Sequence, residues 1–108
     1  MGAFVYDRSR PIEVDDRTLA HLQLVIIDKL RRGECFALSL SDGERVAMMW
    51  LSPFTPVQFI YHGSRRVRVN RLWVEELATN AGLTGVLGLS PEPPEEAPPD
   101  TEPKPKGA

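Results

Sequence analysis

One cysteine, Cys35, is all that the 108 residues contain. No intramolecular disulfide can form, and the chain is read as cytoplasmic. Long apolar runs are also missing. None approaches the roughly 20 residues that a bilayer-spanning helix needs, so no membrane partner is expected. The opening Met1–Asp7 lacks the basic-then-apolar order of a secretory signal. Only two histidines occur, His21 and His62, and no cysteine or carboxylate cluster stands near them at metal-ligand spacing. Neither a metal nor another cofactor is therefore expected, and both histidines are read as structural, on the surface or partly buried. Lysine is scarce as well. Lys29, Lys104 and Lys106 stand against ten arginines.

Catalytic constellations are equally hard to find. Cys35 follows an expected helix C-terminus, the pole that does not stabilise a thiolate, so it is read as an ordinary strand residue. Asp15 and Asp16 are chain neighbours that do not face each other, and capping accounts for them. Gly82–Gly88 holds three glycines, but it leads from helix into strand, whereas phosphate loops lead from strand into helix. The expected protein is not an enzyme.

What is present describes one small domain. Hydrophobic residues make up 42% and charged residues 26%, the balance of an ordinary globular protein. The net charge of −2 is unevenly placed. From Pro91 onward there are five acidic residues against two lysines, which leaves residues 1–90 at +1. The same stretch holds seven prolines and no periodicity. Such a composition cannot bury enough surface to offset ordering entropy, so residues 91–108 are expected to be a disordered Pro/Glu-rich tail.

Residues 1–90 should form the α+β domain. Ala3–Tyr6 and Ile12–Val14 read as a short hairpin. Asp15-Asp16-Arg17-Thr18 starts a helix, and Leu19, Leu22, Ile26 and Leu30 form its apolar stripe. Lys29, Arg31 and Arg32 suit its negative end, and Gly33 suits its C′ position. Cys35–Leu40 and Arg45–Leu51 read as a second hairpin around Ser41–Glu44. Its inward faces are Phe36, Leu38, Leu40 and Val46, Met48, Trp50. Val57–His62 is a further strand. Arg65–Val69 is a short edge strand or an extended loop. Asn70 caps a second helix from Arg71 to about Ala81, with Gly82 closing it, and Gly85–Leu89 is a last strand. The economical packing has two layers: an antiparallel sheet with two amphipathic helices on one face. The outward set Ala37, Ala47, Met49, Leu51 and Ile60 is then apolar enough for a homodimer interface.

Arg65, Arg66, Arg68 and Arg71 are the most suggestive cluster. Arginines beside a helix N-terminus make an anion site, here for phosphate or nucleic acid, with Tyr61, His62 and Trp73 near enough for base stacking. Against this, a charged edge strand also prevents edge-to-edge aggregation, and the body is nearly neutral where nucleic-acid domains are usually strongly basic.

Several segments are also familiar as a set: Met1-Gly2-Ala3-Phe4-Val5-Tyr6, Asp15–Gln23, Lys29–Glu34, Gly63-Ser64-Arg65 and Asn70–Glu75. Together they resemble a family of small, mostly uncharacterised actinobacterial proteins, many of them labelled ATP-dependent DNA ligase. The resemblance spans nearly all of residues 1–90. It implies at most an accessory role in DNA ligation or repair. An autonomous ligase is excluded, because none of the three lysines lies in the Lys-x-Asp-Gly motif that carries the adenylate, and the chain is far too short. The expected function is a non-catalytic binding or interaction domain, with a nucleic-acid-binding accessory protein as the alternative.

Overall fold

A computed structural model describes residues 1–63 and 66–95. It holds β1 (Gly2–Tyr6), β2 (Ile12–Val14), α1 (Asp16–Arg31), β3 (Phe36–Asp42), β4 (Arg45–Leu51), β5 (Val57–Ile60), α2 (Arg71–Thr84) and β6 (Val86–Leu87). The class is α+β, as expected. Of the expected tail, residues 91–95 are described. Of the arginine cluster, Arg65 lies outside the described residues.

α1 begins and ends as its sequence dictates. The Asp15 carboxylate accepts from the Thr18 amide at 3.2 Å, filling one of the free first-turn donors. At the other end Gly33 takes φ +79°. Its amide donates to Leu30 O and the Glu34 amide to Lys29 O, both at 3.0 Å, which is the Schellman pattern. Leu19, Leu22, Val25 and Ile26 are buried along the inner face.

The expected single sheet is two three-stranded sheets, ordered β2-β1-β5 and β4-β3-β6. The division falls at Ser52–Pro56. Two prolines there withhold ladder donors, and Ser52 and Thr55 close a turn with a 3.0 Å bond from Thr55 N to Ser52 O. β5 therefore leaves β4 and pairs antiparallel with β1, Phe59 opposite Phe4. β6 adds to β3 in parallel, Leu87 beside Leu38, a direction that the antiparallel expectation did not include. The Tyr6 hydroxyl joins the sheets by donating to Trp50 O at 2.8 Å. One core results, with Phe4, Leu19, Leu22, Ile26, Leu38, Leu51, Leu77 and Leu87 fully buried.

The faces of β4 are opposite to those expected. The hairpin turns through Gly43-Glu44, with Gly43 at φ +68° in the first central position, as a type II′ turn requires. A two-residue turn pairs even positions with odd ones: Leu38 with Met49, Phe36 with Leu51. Directly paired residues share a face, so the core side of β3 draws Met49 and Leu51 inward. Val46, Met48 and Trp50 point out and are 66%, 58% and 59% exposed. The expected outward set thus breaks up. Met49 and Leu51 are buried and Ala47 packs on the core, while Ile60 stays exposed.

α2 also differs at its end. It continues through Gly82 to Thr84, and Gly85 at φ +78° is the cap, donating to Ala81 O at 2.8 Å. A Cβ at Gly82 meets nothing within 4 Å.

Two substitution pairs check these assignments by denaturant unfolding. Met49→Ala should cost about 2–5 kcal/mol, whereas Met48→Ala should stay within about 0.5 kcal/mol of wild type. Gly82→Ala should stabilise by about 0.5–1 kcal/mol, because helix-interior glycine loses more entropy than alanine. Gly85→Ala should destabilise by about 1 kcal/mol, because alanine must enter the left-handed region. Reversed signs within either pair would contradict the strand facing or the helix end.

Candidate functional site

The arginine cluster is only partly assembled. Arg66 and Arg68 are exposed in the irregular segment before α2, and Arg71 is the first residue of the helix. Arg68 Nε lies 3.0 Å from the Glu95 carboxylate. Arg71 faces a groove between α1 and α2. His62 is exposed, and Tyr61 does not present its hydroxyl to a ligand, since it donates to Gln23 Oε1 at 2.6 Å.

The densest polar cluster lies one step inward, around Asn70 and His21, which the sequence marks only as a helix cap and a structural histidine. Asn70 is fully buried at the start of α2. Its side-chain oxygen accepts from the Leu72 amide at 3.2 Å, the N-cap contact. Its own amide donates to His21 Nε2 at 2.8 Å. Since a backbone amide can only donate, His21 is neutral with its proton on Nδ1, which lies 2.7 Å from Arg17 O. His21, expected at or near the surface, is fully buried and stacks against Trp73 with centroids 4.7 Å apart.

The segment from Ser90 to Glu95 lies across this junction. Arg17 grips Glu92 with both arms of its fork, Nε to Oε1 at 2.9 Å and an end nitrogen to Oε2 at 2.6 Å. Asn70 Nδ2 donates to Glu92 Oε2 at 2.8 Å and to Pro93 O at 2.9 Å. Trp73 Nε1 donates to Ser90 O at 3.1 Å. By composition, residues 91–95 of this segment belong to the Pro/Glu-rich tail. The segment has few apolar side chains, and seven polar contacts with the body hold it. Of the arginine cluster, Arg68 meets a carboxylate of this segment, Glu95, while Glu92 is held by Arg17 and Asn70.

Two further surfaces are present. The groove between α1 and α2 has a volume of 490 Å³. Leu24, Ile27, Val69 and Val74 give it an apolar lining, with Arg31 and Arg71 among its charged residues. The outer face of β4 presents Val46, Met48 and Trp50, and the loop that follows presents Phe54, 92% exposed. Beside them on β3 stand only Ala37, Ser39 and Ser41, so the strand pair carries no charge on that face between Ser41 and Trp50.

Among the described residues, metal ligands do not converge. Lys29, the one lysine among the described residues, lies 3.1 Å from Glu34 and over the Phe36 ring. Cys35 is exposed and unpaired. Among the described residues no three His, Cys, Asp or Glu side chains are placed to hold a metal ion, and no helix is long and apolar enough to cross a membrane.

The Arg17 fork, and then the Asn70 amide, hold the Glu92 carboxyl well below the usual value of 4.5, at about 2, although partial burial opposes this. Arg17 is raised in return by its bond to Glu92. A carboxyl whose folded pKa is depressed contributes stability that is complete above 4.5 and is lost as pH falls through about 2. A carbon-detected NMR titration should place the Glu92 midpoint near 2 and return it toward 4.5 in Arg17→Ala. A wild-type midpoint at 4.5 would mean that the strap is open in solution.

Comparison with known proteins places this geometry in a family. No curated protein and no solved structure matches the chain. A family model described as a domain of unknown function, DUF7882, matches residues 1–92 and so takes in the junction together with Glu92. The chain belongs to the DUF7882 family.

Proposed function

We propose that the protein is a non-catalytic interaction module that pairs with a second copy of itself through the outer face of β4. The observation that carries this is the exposure of Val46, Met48 and Trp50 in a row on an edge strand, with Phe54 in the next loop. Water-exposed apolar rows of this kind mark contact surfaces more often than chance exposure. Trp and Met are also the side chains enriched where proteins meet. A second copy suits the face because it is self-complementary. A two-fold operator sets the same patch against itself, and an uncharged patch on a body of net charge +1 meets no like-charge repulsion there.

A second reading is nucleic-acid binding, in the accessory role in DNA ligation or repair that the resembled family's label suggests. Exposed Arg66 and Arg71 favour it. Glu95 and Glu92 take up the charges of Arg68 and Arg17, which leaves a weak electrostatic footprint for phosphate. Binding to DNA at low salt that weakens in an Arg66→Ala, Arg71→Ala variant would support it.

Size-exclusion chromatography with light scattering separates the two. The leading reading expects a species of twice the 12.1 kDa chain mass at high concentration. Trp50→Glu should give a monomer with an unchanged circular dichroism spectrum and stability within about 0.5 kcal/mol. A wild-type chain that stays at one-chain mass at every concentration would rule the pairing out.

A further inference from the structure

The contacts that hold Ser90–Glu95 are those by which proteins recognise proline-rich peptides. Such peptides have few backbone donors, so a receptor reads them by donating to their carbonyls, commonly from a tryptophan indole and a side-chain amide. Here Trp73 Nε1 donates to Ser90 O, and Asn70 Nδ2 to Pro93 O. The acidic side chains are read separately. Glu92 meets the planar fork of Arg17, and Glu95 meets Arg68. The bound sequence is Ser-Pro-Glu-Pro-Pro-Glu.

The receptor side is built ahead of its ligand. His21 joins Arg17 O to the Asn70 amide, so the residues that grip Glu92 are tied to each other beneath it. Asn70 and Trp73 sit in the folded body, on the first turn of α2, with their polar atoms aimed at the segment. If the segment left, a buried amide and a buried indole donor would lose their partners, a cost that another carbonyl-rich, acidic peptide would remove. The grip itself is polar and shallow, with the Glu92 side chain 28% exposed and that of Glu95 39% exposed. Such contacts suit exchange better than permanent burial.

We propose that Arg17, Arg68, Asn70 and Trp73 form a recognition site for an acidic proline-rich peptide. The chain's own Ser90–Glu95 fills it in cis, and the same segment of a second copy fills it in trans once the cis strap is released. The strap is thus a resident competitor that keeps the site closed in the isolated chain.

The test uses the full chain and a fluorescent synthetic peptide of residues 88–97. Wild type should bind it at least about tenfold more weakly than a Glu92→Lys, Glu95→Lys variant, whose strap is repelled by Arg17 and Arg68. Binding to the variant should move the Trp73 indole N–H resonance toward its wild-type position. It should also fall about tenfold or more when the peptide carries alanine for Glu92, or when the variant also carries Arg17→Ala. Equal affinity for wild type and variant overturns the proposal, as does no binding to a variant with wild-type circular dichroism. If the variant unfolds, added peptide must refold it by mass action. Failure to refold would show that the strap is only part of the fold, and the proposal would fall.

Discussion

Asn70 has every polar atom engaged, and the junction it forms holds three parts of the chain together. Its amide reaches back to His21 on α1, and its carbonyl accepts from the Trp73 and Val74 amides to start α2. Its side-chain oxygen caps the helix, and its side-chain amide reaches forward to Glu92 and Pro93. Because the residue is fully buried, losing one of these bonds leaves an unpaired group that costs more than the bond contributed. The tautomer of His21 follows from the backbone amide of this residue, and its side chain ties the segment after β6 to the start of α2.

A second constraint shapes the opposite side. β4 is apolar on both faces, so its own sequence, Arg45-Val46-Ala47-Met48-Met49-Trp50-Leu51, cannot say which face is inside. The hairpin decides. Two turn residues fix an even-to-odd pairing, and the core face of β3 then selects Met49 and Leu51. This leaves Trp50, a residue usually counted toward the core, in solvent. The surface proposed for pairing is thus a by-product of the length of the turn at Gly43.

The two surfaces proposed for interaction differ in kind. The β4 face is flat, neutral and apolar, and suits a second folded body. The Arg17–Asn70–Trp73 site is polar and directional, and suits an extended peptide. They lie on different elements, so a dimer formed through one need not block the other.

Local signals in the sequence determined the local structure. Asp15 and Gly33 mark the ends of α1 because a carboxylate fills its free amides and a glycine enters the left-handed region without strain. Asn70 marks the start of α2 for the same kind of reason, and the two hairpins follow from alternation and turn residues. Other features depended on partners distant in the chain. The split into two sheets needed β1 to compete for β5, and the parallel β6 needed α2 to return the chain beside β3. The burial of His21 needed a donor 49 positions away. The ordered strap was hidden most completely. Its composition predicts no apolar burial, and it has almost none. It is held instead by Arg17 and Asn70, which no local pattern in residues 90–95 could reveal.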